Sequence, residues 1–299
     1  MENFVVEAIV GQAVAGISLG SILLLAALGL SMTFGQMGVI NMAHGELIMA
    51  GCYTAYVVQQ FIDNLTVALV VSLAAGFAVA GLLGGLLETA LVRRMYHRPL
   101  DTLLVTFGVG LILQQVARDV FGAPAVNVLT PAWLQGTVGI VGYDVPRTRV
   151  LILALALSSV AILGVLLRYS SLGRRIRAVV HNRDLAESSG VSTRRTDLTS
   201  FVIGSGLAGV AGVALTLVGA TSPTIGQSYI VDAFLVVVAG GLGNLRGVVI
   251  ATFAIGLLNA YVEFWTTASL AKVVVFVAII AFLQIRPQGL FALKTRSLL

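Results

Sequence analysis

Long apolar blocks separated by short polar stretches dominate the chain. The five longest blocks are residues 8–31, 67–87, 150–167, 201–218 and 273–285. A helix that crosses the hydrocarbon core of a bilayer needs about 20 predominantly apolar residues. The pattern therefore predicts several membrane-spanning helices, and the residues left over are sufficient only for short loops.

Composition supports the same class of protein. Hydrophobic residues make up 58% of the 299 residues and charged residues only 10%, whereas an average soluble domain is roughly 25% charged. So few charges could not cover the surface of a soluble fold of this size. We predict an all-α polytopic membrane protein with one transmembrane domain over residues 1–299, made of two halves at about 1–149 and 150–299.

Basic residues are unevenly distributed and predict the orientation of the helices. Fourteen of the 18, together with His97, cluster at one set of helix ends: Arg93, Arg94, Arg98, Arg168, Arg174, Arg175, Arg177, Arg183, Arg194, Arg195, Arg246, Arg286, Lys294 and Arg296. Cytoplasmic loops carry an excess of Lys and Arg, so we place this set in the cytoplasm, with the N-terminus outside and the C-terminus inside. Orientation accounts for the net charge of +5, and we expect no nucleic-acid partner.

Alternation of the spans then predicts eight to nine transmembrane helices. Full spans are predicted over residues 8–33, 39–60, 66–92, 102–118, 150–168, 197–218 and 269–285. Glycines and prolines predict an outer loop over residues 119–148. A glycine-rich interruption at 240–247 predicts that residues 229–264 form two short half-spans.

Two segments resemble each other weakly. Residues 34–51 and 225–241 share a Gly-Gln start, an apolar stretch and an Ala-Gly end, and the predicted topology gives them opposite directions. Inverted repeats with interrupted helices are how many transporters build a site at the bilayer midplane. Glycine-rich membrane helices can also look alike without such a relation, so both interpretations stay open.

One short motif is better explained by packing than by chemistry, and the sequence lacks two common kinds of site. The glycines of residues 204–209 match a dinucleotide-binding pattern, but the pattern lies inside an apolar span, where small residues favour close helix contact. The single cysteine, Cys52, excludes a multi-cysteine metal site, and we expect no metal. Neither Lys272 nor Lys294 follows a phosphate-binding loop, so any ATP would be hydrolysed by another subunit.

Polar side chains inside the predicted spans mark a candidate substrate path. Asn41, His44 and Glu46 begin the second span, Gln36 precedes them, and Asp232 has the related place in the second half. Intramembrane polar groups usually face a pathway or a neighbouring helix. On a helix, Asn41 and His44 share one face, so we expect these two to line the path and Glu46 to be held by a neighbouring helix. A purely structural role is the alternative.

The longest polar loop, residues 171–197, is the second candidate site. Ile176, Val179 and Val180 recur at helical spacing on one side of it. The pattern predicts a short helix that either docks on an ATPase subunit or lies on the membrane surface.

At these residues the chain resembles a known family. The motifs NMAHGE, GRRIRAVV, DLAESSGV, GGLGN and RPQGLF resemble those of permeases of branched-chain amino-acid ABC importers, and the similarity covers essentially the whole chain. In INMAHGELIMAG, SYIVDAFLVVVAGGLGNL and FLQIRPQGLFALK the chain is most similar to the urea-importer branch.

The resemblance implies a complex in a bacterial cytoplasmic membrane. Its other members would be a second, related permease forming a heterodimer, two cytoplasmic ATPases that hold ATP and Mg, and an extracytoplasmic solute-binding protein; this chain would hold no cofactor. The resemblance also implies an ATPase-coupling loop. Its candidate residues are Arg174, Arg175, Arg177, Arg183, Ala186, Glu187 and Gly190.

The substrate is expected to be urea or a short-chain amide. Urea is small and neutral, and Gln36, Asn41 and His44 would supply the hydrogen bonds it needs. A branched-chain amino acid is the alternative substrate. A secondary transporter relying on Glu46 or Asp232, or a passive channel, would need no ATPase. An intramembrane enzyme fits least, because no nucleophile–base set emerges.

Overall fold

A computed structural model describes residues 2–96, 98–140 and 143–291 of the chain, so His97, Lys294 and Arg296 of the charge map lie outside the described residues. Within these ranges the chain forms eleven α-helices. They are α1 (Glu2–Met37), α2 (His44–Phe61), α3 (Leu65–Ala90), α4 (Pro99–Phe121), α5 (Arg147–Tyr169), α6 (Ser171–His181), α7 (Arg183–Ser188), α8 (Thr193–Leu215), α9 (Ile225–Gly240), α10 (Leu245–Trp265) and α11 (Ala268–Ile285). Short 3-10 turns lie at Val92–Arg94 and Ala132–Leu134, and strands β1 (Thr137–Ile140) and β2 (Tyr143–Pro146) pair antiparallel.

The predicted class, a polytopic all-α membrane protein, is confirmed. Seven helices among the described residues are long and apolar enough to cross a bilayer: α1, α3, α4, α5, α8, α10 and α11. Large apolar side chains such as Leu104, Ile162 and Val277 are exposed on outward helix faces, as expected where hydrocarbon rather than water is the solvent. Helices α2 and α9, with 18 and 16 residues, lie among the longer ones.

Two antiparallel helix pairs, α1 with α10 and α3 with α8, approach each other through glycine. A Cβ atom on Gly209 of α8 would overlap the carbonyl oxygen of Gly76 of α3, and one on Gly256 of α10 would meet the Gly16 carbonyl of α1. Gly204, from the pattern that resembles a dinucleotide motif, packs in the same way against Gly29 of α1. Close packing through small residues, predicted for that pattern, is therefore what the structure contains.

Helix α2 begins deep inside the bundle. Its first residue, His44, lies against Ala26 of α1, and Ala26 is eleven residues before the end of that helix at Met37. At 1.5 Å per residue the chain therefore returns roughly 16 Å along α1 before α2 starts. Residues 38–43 make this return without forming a helix.

Helix α9 begins beside the start of α2 and leads the other way. Gly45 and Gly226, each in the first turn of its helix, are in backbone contact. From there α2 runs to the end of the bundle that carries β1 and β2, the hairpin end, where Gln59 bonds Leu129. Helix α9 runs to the opposite end of the bundle, where α6 and α7 lie. We call this end the arginine-rich end.

The predicted pair of half-spans at 229–264 is wrong in its position. The glycine-rich residues 241–244 form a tight turn between α9 and α10, and α10, with 21 residues, is long enough to cross. The breaks that produce short helices are instead residues 38–43 and 216–224. The two segments that resemble each other are also not equivalent in position, because Gly35 is in the last turn of α1 whereas Gly226 is in the first turn of α9.

The segment predicted as a turn-rich outer loop contains the β1–β2 hairpin. Its remaining residues are fastened to the bundle: Trp133 Nε1 donates to Thr66 Oγ1 at 3.0 Å, and Val126 and Thr221 exchange two backbone hydrogen bonds of 2.8 Å. The loop thus ties the start of α3 and the segment before α9 to the same end of the protein.

The glycine contacts can be tested by adding one methyl group. Gly209→Ala should lower thermal stability, since overpacking a close contact typically costs about 1–3 kcal/mol, and the obstructing atom is backbone. Gly108→Ala in α4, where a Cβ atom would meet nothing within 4 Å, is the matched control and should match or exceed the parent. Melting of the purified full chain in detergent measures both, and equal losses would contradict the packing argument.

Candidate translocation site

The non-helical segment before α2 is held by hydrogen bonds from within the bundle. Thr106 Oγ1 of α4 accepts from Met42 N at 3.1 Å, and Asn41 Oδ1 accepts from Ala43 N at 3.1 Å. Such bonds are required because unpaired backbone groups are costly inside a membrane. Asn41 therefore precedes α2, and its side chain bonds the residue immediately before the helix. The prediction that Asn41 and His44 share one helix face is wrong, because the helix starts at His44.

His44 lies at the centre of the bundle and is completely buried. One ring nitrogen, Nε2, is 3.1 Å from the Ala26 carbonyl oxygen. Among the residues the structure describes, the other nitrogen, Nδ1, has no hydrogen-bond partner, and neither has Nδ2 of the buried Asn41. A buried polar atom without a partner is costly, so these two atoms are the unsatisfied part of the centre.

Glu46 has a partner on a neighbouring helix, as expected for a carboxylate in this position. Gln114 Nε2 of α4 donates to Glu46 Oε1 at 2.7 Å, and both side chains are buried. Gly110, one turn earlier on α4, leaves room for the other carboxylate oxygen, because a Cβ atom there would lie 3.0 Å from it. The absence of a side chain at Gly110 therefore lets Glu46 lie against α4.

Asp232 is in a different place from Asn41, His44 and Glu46. It faces a cleft between α1, α9, α10 and α11, and Lys272 Nζ of α11 lies 3.5 Å from its Oδ2. Both residues of this ion pair are partly exposed.

Gln36 occupies a third place, near the arginine-rich end. It lines a mostly apolar cavity of about 320 Å³ between the last turns of α1 and helices α5 and α6. Arg177 and His181 of α6 face the same cavity.

The structure thus brings together three of the five predicted path residues and separates the other two. Helix α1 passes all three places in order: Leu19 and Leu23 line the cleft, Ala26 meets His44, and Gln36 lines the cavity. The sequence analysis did not identify Gln114 and Thr106, because a polar residue within a membrane span does not indicate which residue it will contact.

The predicted coupling loop forms two short helices at the arginine-rich end. Of its candidate residues, five are exposed, namely Arg174, Arg175, Arg177, Glu187 and Gly190. Arg177 also bonds the Leu167 carbonyl. Ala186 is buried within the chain, whereas its neighbour Leu185 is 64% exposed. Gly190 has a φ of +83° and terminates α7, so any substitution there would strain the backbone and could not report on contact with a partner.

An ionic network joins this loop to the bundle. Arg183, at the start of α7, forms an ion pair with Asp197 of α8 and lies over the Tyr96 ring, with Cζ 5.0 Å from the ring centroid. The Tyr96 hydroxyl donates to Glu88 at 2.7 Å, and Arg93 binds the same carboxylate through two nitrogens. Burial and the bond to Glu88 raise the pKa of Tyr96, so its phenol remains a donor. This network would therefore transmit a movement of α7 to the end of α3.

Comparison with known proteins identifies the family. The family described as "Branched-chain amino acid transport system / permease component" matches residues 12–283. This chain belongs to that family. It is therefore a permease subunit and a multi-pass membrane protein.

Several characterised relatives extend over nearly the whole length. The chain is 27% identical over 285 residues to the high-affinity branched-chain amino acid permease LivH of Escherichia coli K12, covering 92% of each chain. It is 27% identical over 294 residues to BraD of Pseudomonas aeruginosa, covering 93% and 94%. A shorter match, 38% over 113 residues and 35% of this chain, is to the xylose permease XylH of Haemophilus influenzae. No solved structure matches.

These relatives do not support the prediction of urea as substrate. The full-length relatives reported above are described as branched-chain amino acid permeases. The alternative substrate class considered from the sequence therefore fits better than the main one.

The Glu46–Gln114 bond predicts a coupled loss of stability. Glu46→Ala and Gln114→Ala should each lower the free energy of unfolding, by about 1–3 kcal/mol, because each leaves a buried polar partner unpaired. The double variant should lose less than the sum, since the second change removes the stranded group. Melting of the four proteins in detergent measures the coupling, and strictly additive losses would show that the bond contributes nothing.

Proposed function

We propose that this chain is one of the permease subunits of an ATP-driven importer for branched-chain amino acids. The family match over residues 12–283 carries the proposal. The central geometry agrees with it, because two short helices start side by side in the middle of the bundle and run to opposite ends. Discontinuous helices with this placement are used by transporters to form a site at the bilayer midplane.

The energy source in this proposal is ATP hydrolysed by other subunits. The sequence contains no phosphate-binding loop, and the arginine-rich end presents α6 and α7, with exposed arginines and the exposed Leu185, as a surface for such a subunit. The complex would further contain a second permease, whose related sequence makes a heterodimer, and a solute-binding protein at the hairpin end.

The proposed path uses the two unsatisfied groups at the centre. Asn41 Nδ2 and His44 Nδ1 are free to bond a passing solute, whereas Glu46 is occupied by Gln114. Both residues are buried in this conformation, so the helices around them must separate before a solute can reach them. Gln36 would act after this point, at the cavity near the arginine-rich end.

Uptake in whole cells tests the substrate and the energy source together. In a bacterial host without its own leucine uptake, this chain expressed with the neighbouring genes of its operon should import radiolabelled leucine. Uptake should stop when ATP is depleted and persist when a protonophore collapses the proton gradient while ATP is maintained. Excess isoleucine and valine should compete, and excess urea should not.

Three results of that experiment would contradict the proposal. Competition by urea would restore the substrate that the sequence predicted. Loss of uptake with the proton gradient alone would indicate a secondary transporter. Uptake by this chain without the other genes, in vesicles lacking ATP, would indicate a channel.

Leu185 provides a test of the ATPase-binding surface. Leu185→Glu should reduce co-purification of the ATPase subunits and substrate-stimulated ATP hydrolysis, because a charge replaces an exposed apolar contact without straining the backbone. Leu129→Glu, at an equally exposed leucine at the hairpin end, is the matched control and should leave co-purification unchanged. Normal ATPase binding and stimulation in Leu185→Glu would exclude α7 as the docking element.

A further inference from the structure

A second polar region of the membrane domain lies in the half nearer the hairpin end. The cleft between α1, α9, α10 and α11 has a volume of about 240 Å³, smaller than the roughly 300–1,000 Å³ typical of pockets for drug-sized ligands. Its position follows from its walls: Glu263 is in the last turn of α10, and Lys272 is near the start of α11. The charge map places this end outside, where an imported solute arrives.

One wall of the cleft carries charges of both signs. Asp232 and Lys272 face each other at 3.5 Å, and Glu263 lies beside them with Asn259 Nδ2 at 3.4 Å from its carboxylate. Among the residues that the structure describes, Glu263 takes part in no ion pair. The wall therefore contains two carboxylates and one ammonium group, which leaves one negative charge uncompensated.

The rest of the lining is mainly aliphatic. Leu19 and Leu23 of α1, Ile255 of α10 and Val275 of α11 make up this part, which we call the aliphatic wall. Asp232 lies in the interior of the apolar helix α9, and a charged side chain in such a position typically marks a pathway or a ligand. A cleft that pairs such charges with an aliphatic wall is suited to a ligand that is itself charged at one end and aliphatic at the other.

We propose that this cleft binds an α-amino acid with an aliphatic side chain, as a subsite on the way to the centre of the bundle. Lys272 would receive the carboxylate, Asp232 and Glu263 the ammonium group, and the aliphatic wall the side chain. The ligand is a zwitterion, so it leaves the net charge of the cleft unchanged, but each of its charged groups meets a side chain of the opposite sign. The inference rests on the proposed function, and it deepens that function by assigning where the substrate is recognised.

The same geometry disfavours a neutral solute. Urea has no charged group to pair with Lys272 or with the carboxylates, and no apolar part to cover the aliphatic wall. A leucine molecule without its carboxylate would neutralise the cleft but would offer Lys272 no anionic partner, and one without its ammonium group would add a second uncompensated negative charge. Recognition should therefore need both charged groups of the amino acid.

Protection of an introduced cysteine tests the subsite directly. Ser228→Cys places a thiol on the α9 wall of the cleft, and the native Cys52 is fully buried and bonded to Gly212. In open membrane fragments that contain the whole transporter, a polar thiol reagent should label this cysteine. Leucine at about ten times its half-effective concentration should slow labelling roughly tenfold. Asn259→Cys is a second reporter on α10, in case the first variant fails to fold.

Three ligands and three variants define the chemistry of the subsite. Leucinamide, 4-methylpentanoate and urea should each protect far less than leucine. Lys272→Met and Asp232→Asn should abolish protection in the Ser228→Cys background. The exposed Arg98–Asp101 pair elsewhere in the chain supplies the matched control, because Asp101→Asn removes a carboxylate from an ion pair outside the cleft and should leave protection intact.

The outcomes separate this inference from the proposed function. Equal protection by leucinamide or 4-methylpentanoate, or no protection by leucine with either reporter, overturns the subsite, and leucine uptake by the same cells then leaves the proposed function standing. Failure of the parent cells to take up leucine overturns the proposed function. Protection by leucine that is lost in Lys272→Met supports the subsite whatever the uptake result.

Discussion

Backbone contact at glycine determines how this protein can place polar groups in the middle of a membrane. The first turns of α2 and α9 meet at Gly45 and Gly226, and α3 and α8 meet at Gly76 and Gly209. Because lipid supplies no hydrophobic driving force between helices, close packing of this kind is a main source of their association. With side chains at these contacts the helices would separate, and the starts of α2 and α9 would no longer lie side by side inside the bundle.

Hydrogen bonds inside the bundle stabilise the irregular backbone of residues 38–43. Thr106 bonds the segment before α2 from α4, and Gln114 of the same helix holds Glu46. Helix α4 therefore stabilises the start of α2 at two successive places although it packs little against the rest of the bundle. Next to these bonds, Asn41 Nδ2 and His44 Nδ1 have no partner among the described residues. In the proposed path these two atoms exchange hydrogen bonds with the solute while the groups around them stay fixed.

The sequence allowed the class of fold to be predicted well and the site only in part. Apolar blocks indicate segments that contact lipid, and arginine clusters indicate loops that contact water. They therefore predicted the approximate bounds of the spans and of the loop at 171–197. The break before α2 was missed because residues 38–43 are mostly apolar, and the partner on α4 that stabilises their non-helical path is distant in sequence. Asp232 was recognised as an unusual residue, but its partner Lys272 is 40 residues away, and no local pattern connects them. The urea preference arose from motif similarity between branches of one family, which does not specify what the side chains of α10 and α11 contribute.

The order of polar places along α1 bears on how a solute could cross without a permanent channel. Leu19 and Leu23 border the charged cleft, Ala26 contacts buried His44, and Gln36 borders the cavity near the arginine-rich end. Helices α1 and α8 are in close contact at Gly29 and Gly204 and close the bundle around His44. The charged cleft and the cavity near the arginine-rich end are therefore separated in this conformation. Arg183, Asp197 and Tyr96 join the exposed α7 to the helices that form this close contact. Force applied at α7 would therefore act on α8, which carries Gly204, and a small separation of α1 from α8 would expose the free atoms of Asn41 and His44 between the two spaces. That arrangement lets one pair of helices control access while the cleft and the cavity keep their shape.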